Sequence, residues 1–167
     1  SLYESKSGER GIYFRKGIRD KTDRLGKRES DAIMGTNPCG EIALRSAGLC
    51  NLTEVVVRSG DTEESLAAKV RIATILGTIQ STFTDFRYVR SIWKRNAEEE
   101  RLLGVSLTGI YDNPLTYSRD GLSERLLALR DVARQTNEEW AARLGINQSA
   151  AITTVKPSGT VSQLVDS

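Results

Sequence analysis

Apolar positions in the chain recur at the spacings of alternating strands and helices. Apolar and β-branched residues recur in short runs at 42–44, 52–57, 103–109 and 151–155, and the last three of these runs predict strands. Between them, apolar residues three and four positions apart predict amphipathic helices at about 62–83, 88–102 and 123–144. Alternating strands and helices of these lengths are typical of βα units, so the pattern predicts an α/β fold with a mainly parallel sheet or barrel.

The predicted helices carry end signals. Thr62, or Asp61 before it, offers an N-cap to the first helix, and Ser123 is a candidate N-cap for the third. Gly145 is placed to end the third helix in the left-handed conformation. Residues 1–36, by contrast, are dense in glycine and charged residues and show no sustained apolar period. They are therefore predicted as loop with short elements.

The composition is within the range of soluble globular domains, with 38% apolar and 28% charged residues. The 24 Lys and Arg against 22 Asp and Glu give a formal net charge of +2, too small to indicate a DNA-binding or membrane surface. No apolar run has the length of a membrane span and the N-terminus lacks a signal-peptide pattern, so a cytoplasmic location is expected. The missing initial methionine suggests a segment of a longer protein.

The most informative local pattern is the segment Asn37-Pro38-Cys39-Gly40-Glu41. Pro38 fixes one backbone dihedral and Gly40 frees another, which places the cysteine in a constrained turn. Residues at i−2, i and i+2 project to the same side, so the amide, thiol and carboxylate are expected to converge. A sulfur radical abstracts a hydrogen atom, a carboxylate accepts a hydroxyl proton, and an amide holds a second hydroxyl. The alternative interpretation is an ordinary turn with polar residues around the cysteine.

The cysteine count limits the other kinds of site. Cys39 and Cys50 are the only cysteines and histidine is absent, which argues against a disulfide framework and against a zinc site of Cys and His ligands. No metal site is predicted. A thiol-based redox or metal protein using both cysteines is an alternative, which the lack of histidine and of a C-x-x-C pair disfavours. By itself, Cys50 also fits a small apolar residue buried at the start of a strand.

Several segments resemble motifs of the catalytic subunit of ribonucleotide reductases. Residues 37–42 resemble the finger-loop motif of this family, and Gly-Leu-Cys-Asn-Leu at 48–52 resembles its second active-site cysteine and following strand. Upstream, Ser-Lys-Ser-Gly-Glu-Arg-Gly at 5–11 is similar to the family segment Ser-x-Ser-Gly-Glu-x-Gly. Residues 101–109 resemble a further signature, and 156–160 resemble the substrate-phosphate loop. These segments occur in the family's order.

The resemblance implies a fold and a place within it. Residues 1–167 are expected to be a fragment of the reductase barrel domain, a ten-stranded α/β barrel. The active-site cysteine of that family lies on an inserted finger loop, which corresponds to about 36–42 here. Because the fragment lacks other parts of the enzyme, we expect it to be inactive alone.

The same resemblance implies roles for four residues. Cys39 takes the place of the cysteine that becomes a thiyl radical, and Glu41 that of the general base for the substrate 3′-hydroxyl. Asn37 takes the place of the hydrogen-bonding partner of the ribose. Cys50 matches one member of the redox pair that reduces the 2′ position, and the partner cysteine lies upstream in the family and is absent here.

A second implied site is the substrate-phosphate loop. Pro157, Ser158, Gly159 and Thr160 follow a predicted strand and are expected to open a helix, where backbone N–H groups and hydroxyls receive a phosphate. Lys156 adds a positive charge beside them, without an expected direct contact. The alternative interpretation of these four residues is an ordinary turn.

The motifs also bear on cofactor and partners. Cys50 follows Cys39 by only eleven residues, and this short connection, with the stretch 102–109, is similar to the adenosylcobalamin-dependent class. The alternative is the iron-dependent class, whose di-iron radical comes from a separate subunit. Implied partners are a ribonucleoside tri- or diphosphate, the remaining reductase chain with the second redox cysteine, and a thioredoxin-like reductant. A non-catalytic nucleotide-binding or assembly module derived from a reductase remains a further alternative.

Overall fold

The computed structural model describes residues 2–6 and 11–167, which contain both helices and strands. The α-helices are α1 (Leu2–Ser5), α2 (Arg15–Leu25), α3 (Glu63–Gln80), α4 (Ser91–Glu100), α5 (Pro114–Tyr117), α6 (Leu122–Leu144) and α7 (Val161–Leu164). The strands are β1 (Ile33–Thr36), β2 (Ala43–Arg45), β3 (Cys50–Val56) and β4 (Leu102–Thr108). The reductase-like segment at 5–11 is described only in part, because residues 7–10 lie outside the described residues. Among the described residues, no helix is both long and apolar enough to cross a membrane.

The central sheet is parallel. β3 pairs with β4 along its whole length, with Cys50 opposite Leu102. On the other side of β4, Val105 forms a parallel bridge with Thr153. Helices α3 and α4 connect β3 to β4, and α5 and α6 lie between β4 and Thr153. The predicted α/β organisation is therefore confirmed, although the strand predicted at 151–155 is reduced to a single bridge.

The remaining strands, β1 and β2, form a separate antiparallel hairpin. A ten-stranded barrel requires more strands than the two pairs and one bridge found in the described part of the chain. The structure thus has the mixed helix and sheet class that was predicted, but the described residues do not form the barrel.

Helices α3 and α6 supply side chains to a core with the sheet. The buried core residues are Val55, Val70, Ala73, Leu103, Val105, Ala133 and Ile152. Because side chains of a strand alternate between faces, Gly104 faces away from its core neighbours on β4. A side chain at Gly104 would collide with Leu52 and crowd Ile42 and Thr154. The lack of a side chain at Gly104 therefore lets the segment that ends at Ile42 approach the open face of the sheet.

The two helices between β3 and β4 start and end close to the predicted residues. The side chain of Thr62 accepts the Ser65 N–H and the Ser65 hydroxyl accepts the Thr62 N–H, which forms a capping box at the start of α3. The predicted Thr62 cap is thus confirmed. Helix α4 is shorter than the predicted 88–102, because Arg90 is extended and Arg101 takes a left-handed conformation with φ of 41°.

Helix α6 begins one residue before its predicted cap. Its N-cap is Gly121, with φ of 66°, and the Gly121 carbonyl accepts the Arg125 N–H at 3.1 Å. Ser123 therefore lies inside the first turn, and its prediction as the cap was wrong. At the other end, Gly145 has φ of 66° and ends the helix in the left-handed conformation, as predicted.

Helix α2 occupies part of the region predicted as loop. The prediction missed an eleven-residue helix at Arg15–Leu25. Thr22 is its buried residue, and much of the remaining surface is charged and exposed. Phe14, Ile18 and Thr22 do recur at four-residue intervals, which is a helical spacing. The short apolar face and Gly17 within the helix obscure that signal.

Candidate active site

The loop 37–42 connects the two strands of the hairpin. The Asn37 N–H donates to the Ile42 carbonyl at 3.2 Å, and the Ile42 N–H donates to Asn37 Oδ1 at 3.0 Å. The Gly40 N–H donates to the Asn37 carbonyl at 3.0 Å, and Gly40 has φ of 84°, a conformation that favours glycine. Both the backbone and the side chain of Asn37 therefore hold the shape of the loop.

The side chains of Cys39 and Glu41 both lie next to the ammonium group of Lys156. Lys156 Nζ lies 3.9 Å from Cys39 Sγ and 3.5 Å from Glu41 Oε1. The Glu41 side chain is only 3% exposed, whereas Cys39 is exposed. The expected convergence of thiol and carboxylate is consistent with this geometry. Asn37 differs, because its side-chain oxygen is bound within the loop to the Ile42 N–H.

Cys50 lies at the start of β3 and is half-buried. Burial raises the pKa of the Cys50 thiol, the negative charge of Glu41 raises it further, and the positive charge of Lys156 opposes this increase. The charges of Glu41 and Lys156, which lie at the loop, therefore also act on the thiol of Cys50. Both Cys39 and Cys50 are free thiols. At neutral pH, the raised pKa favours the protonated form of Cys50.

The segment 153–156 supports the loop from the sheet side. The Thr154 hydroxyl donates to the Glu41 carbonyl at 3.1 Å. The Lys156 N–H donates to the hydroxyl of Ser106, a buried residue of β4, at 2.9 Å. Because Thr153 is bridged to the same strand, the end of this segment is fixed relative to β4. The sheet therefore places Lys156 against the loop.

The predicted phosphate loop begins directly after Lys156. Pro157, Ser158, Gly159 and Thr160 precede α7, a helix of four residues, and Gly159 has φ of 58°. The Ser158 hydroxyl oxygen is buried and has no hydrogen-bond partner within the described residues. This segment therefore contains one buried polar atom whose hydrogen-bonding capacity the described residues leave unfilled.

An ion-pair network, which we call the hairpin clamp (Arg28, Arg45, Glu99 and Glu100), holds the hairpin against α4, and all of its members except Glu99 are largely buried. Arg28 Nε lies 2.7 Å from Glu100 Oε1, and Arg28 also donates to the Ala43 carbonyl at 2.9 Å. Arg45 Nε lies 3.2 Å from Glu100 Oε2, and Arg45 Nη2 lies 2.9 Å from Glu99 Oε2. The clamp therefore fixes β2, the strand into which the loop leads.

A cavity of about 820 Å³ opens beside the loop. Its walls include Gly40 and Glu41 from the loop, residues of α2 and α6, and Thr153 to Val155. This volume is within the range of roughly 300–1,000 Å³ found for small-molecule sites. The buried carboxylate of Glu41 thus borders a space of ligand size.

Comparisons with known proteins find related enzymes, although no protein-family profile matches the chain. The adenosylcobalamin-dependent ribonucleoside-triphosphate reductase of Lactobacillus acidophilus is 29% identical over 160 residues, covering 80% of this chain and 21% of that protein. The enzyme of the same name from Levilactobacillus brevis is 29% identical over 192 residues, covering 95% of this chain and 25% of that protein. A solved B-12 dependent (class II) ribonucleotide reductase matches with a TM-score of 0.61 and 27% identity, over 80% of this chain and 22% of the other. This chain is a homologue of the adenosylcobalamin-dependent ribonucleotide reductases. It spans about a fifth to a quarter of the length of these curated relatives.

Sequence reasoning missed two parts of the site in this reductase homologue. The first is Lys156, which was expected only to add charge beside the phosphate loop and instead contacts the side chains of Cys39 and Glu41. Its position directly before the phosphate loop was a signal of proximity, but not of this contact. The second is the hairpin clamp, whose Arg28 and Glu100 are 72 residues apart and have no local pattern that links them.

Proposed function

We propose that this chain is the part of an adenosylcobalamin-dependent ribonucleotide reductase that carries the radical-bearing cysteine. The whole enzyme would reduce a ribonucleoside tri- or diphosphate to the 2′-deoxyribonucleotide. The observation that carries the proposal is the arrangement of exposed Cys39 beside buried Glu41 at the edge of a ligand-sized cavity. The names of the homologous enzymes support the same reaction and cofactor.

The proposed roles follow the chemistry of each side chain. A thiyl radical at Cys39 takes the hydrogen atom from the ribose C3′, which forms the S–H bond and leaves a carbon radical. Glu41 accepts the proton of the 3′-hydroxyl, and its carboxylate oxygens have no hydrogen-bond partner within the described residues. Asn37 binds the reacting ribose. Because its Oδ1 already accepts the Ile42 N–H, its amide NH₂ is the group proposed to contact substrate.

Cys50 is proposed as one member of the redox pair. As the 2′-hydroxyl leaves as water, two thiols supply two electrons and two protons and become a disulfide. The second thiol comes from the remainder of the reductase chain, and a thioredoxin-like reductant restores both thiols. The raised pKa of Cys50 supports this role, because a protonated thiol retains the proton that it must deliver.

The substrate phosphates are proposed to bind at Pro157, Ser158, Gly159 and Thr160. The buried Ser158 hydroxyl without a partner among the described residues supports this assignment, because a phosphate oxygen would satisfy it. The segment directly continues from Lys156, which contacts the loop. Phosphate and ribose would thus bind to neighbouring parts of one site.

The cofactor must approach Cys39 from outside this segment. The Cys39 thiol is exposed, and a Cβ added at the adjacent Gly40 would have no described atom within 4 Å, so this side of the loop would be open to a cofactor. Bound adenosylcobalamin would supply the radical chemistry by which the Cys39 thiol loses its hydrogen atom. Within this chain, the loop hydrogen bonds of Asn37 hold the cysteine in place, and the hairpin clamp holds the strand that follows.

We propose that residues 1–167 are a fragment of the barrel domain of that enzyme, with the loop at about 36–42 inside the complete ten-stranded barrel. The parallel pair β3 and β4 and the bridge at Thr153 would contribute adjacent strands of its wall. The similarity in fold to the class II reductase structure supports this placement.

The test uses this segment joined to the remainder of a homologous reductase chain. Deoxynucleotide formation is measured in oxygen-free, metal-chelated buffer with adenosylcobalamin, and separately with an iron-loaded radical subunit. We expect turnover with adenosylcobalamin alone. Cys39→Ser should reduce it to background with the fold unchanged by circular dichroism, because the stronger O–H bond prevents oxygen from replacing sulfur as the radical carrier. Turnover of the serine variant would refute the role of Cys39, and turnover only with the iron subunit would refute the cofactor.

A further inference from the structure

The contact between Lys156 and the loop is not explained by phosphate binding. Lys156 lies 117 residues after Cys39 in the chain, and its ammonium is directed at the thiol and carboxylate of the loop. Its backbone N–H is bound by the buried Ser106, so the start of the side chain is anchored. The side chain is 25% exposed, which leaves the ammonium partly shielded from water.

The carboxylate of Glu41 needs such a cation. Its side chain is 3% exposed, and neither oxygen has a hydrogen-bond partner within the described residues. Burial of a carboxylate without compensation is costly, so the ammonium at 3.5 Å offsets much of that cost. The same ammonium lies 3.9 Å from the Cys39 sulfur and therefore links the two reactive groups.

We propose that Lys156 is a positioning residue, whose ammonium holds the Glu41 carboxylate and the Cys39 thiol in their reactive arrangement. The catalytic role inferred for Lys156 rests on the proposed function, whereas its contact with Cys39 and Glu41 does not. Lys156 acts through Cys39 and Glu41 and has no direct contact with the reacting ribose in this proposal.

The local charge at Cys39 can be measured on the 167-residue chain itself. Iodoacetate is an anion and iodoacetamide is neutral, and both alkylate the same thiolate. The ratio of their rates at Cys39, followed by peptide mass spectrometry, therefore reports local charge and cancels differences in access and thiolate fraction. Peptide mapping separates Cys39 from Cys50.

Three variants make the test specific. Lys156→Met should lower the iodoacetate-to-iodoacetamide ratio at Cys39 by about fivefold, the effect of one unit charge at about 4 Å in water. Lys156→Arg should retain the ratio. Lys94→Met is the matched control, because Lys94 is 57% exposed on α4 beside Glu98 and its loss changes the net charge equally. That control should leave the ratio unchanged.

A ratio in Lys156→Met within twofold of the unmodified chain would overturn the proposal, using roughly half the expected logarithmic effect as the threshold. If that variant does not fold, a salt series on the unmodified chain serves instead. Screening by added salt should lower the Cys39 ratio, and a salt-independent ratio would also overturn the proposal. Either result is independent of turnover, so it is distinct from failure of the proposed reductase function.

The kinetic constants of the completed enzyme distinguish a positioning role of Lys156 from a role in substrate binding. Lys156→Met should lower kcat at least about tenfold with little change in KM, because small displacements of reacting groups mainly slow the chemical step. Lys156→Arg should restore part of kcat. A raised KM with unchanged kcat would instead assign Lys156 to phosphate binding and overturn the positioning role.

Discussion

Removal of the negative charge of Glu100 should destabilise the protein far more than removal of the negative charge of the adjacent Glu99. Glu100 is 10% exposed and pairs with Arg28, which is 8% exposed. The variant Glu100→Gln keeps the size of the side chain but leaves Arg28 and Arg45 without their shared buried partner. Breaking a buried ion pair by removing one partner costs about 3–5 kcal/mol. One guanidinium nitrogen of Arg28 already has no partner within the described residues, which favours the upper part of that range.

Glu99→Gln is the matched control. Glu99 contacts the same Arg45 at 2.9 Å but is 63% exposed, so its loss should cost less than ~1 kcal/mol. Urea unfolding followed by circular dichroism at 222 nm measures both variants. With slopes of roughly 1–3 kcal/mol per molar urea, Glu100→Gln should lower the midpoint by more than about 1 M. Equal losses in the two variants would refute the reasoning.

A double variant tests whether the cost arises from the unpaired charge. Arg28→Met combined with Glu100→Leu removes both members of the pair and retains apolar volume. Replacement of a buried pair by apolar residues is often close to neutral, so the double variant should be more stable than Glu100→Gln. If the loss equals the sum of the losses of the two single variants, Arg28 and Glu100 do not couple energetically, which would refute the assignment of the cost to an unpaired charge.

Three further predictions concern ionisation and the second cysteine. Because burial and the charge of Glu41 raise the pKa of Cys50, its alkylation by iodoacetamide should have a midpoint above the ordinary thiol value of about 8.5, and Glu41→Gln should lower that midpoint. In the completed enzyme, Cys50→Ser should release free base from the substrate, and repeated deoxynucleotide formation with an external thiol would contradict its redox role. Burial would raise the pKa of Asp61, but hydrogen bonds from Lys69, from Ser65 and from a backbone N–H lower it overall. The stabilisation from Asp61 should therefore be complete above its unfolded pKa of about 3.9 and be lost as the pH falls through the folded value, so the stability difference between the unmodified chain and Asp61→Asn should shrink in acid.

The helices differ in how clearly their amino-acid sequences show which side chains are buried. Helix α3 places Leu66, Val70 and Ala73 in the buried interior and begins at the Thr62 cap, so its apolar period and its end signal agree. Helix α2 has Thr22 as its buried residue and is otherwise largely polar, so most of its positions have no strong constraint. A helix that buries little leaves little period in the sequence, which is why α3 was predicted and α2 was not.

Local spacing predicted that side chains of the loop lie close together, but it did not predict their burial. Alternation along the chain predicted that Asn37, Cys39 and Glu41 converge; Cys39 and Glu41 both lie near Lys156, which is consistent with part of that prediction. It carried no information that one side chain would be exposed and the other buried. For Asn37, a short amide side chain in a turn competes for a free backbone N–H, and the Ile42 N–H was available one residue beyond the predicted trio.

The position of Lys156 depends on strand register and not on any local motif. Val105 bridges Thr153, and the Lys156 N–H binds Ser106, the next residue of β4. A shift of one residue in this pairing would direct the Lys156 side chain to the opposite face, away from Glu41, because strand side chains alternate. Separate β-strand predictions for 103–109 and 151–155 contain no such register. The single bridge at Thr153 therefore contributes to the site as directly as the cysteine loop, because it determines which side chain lies next to Cys39.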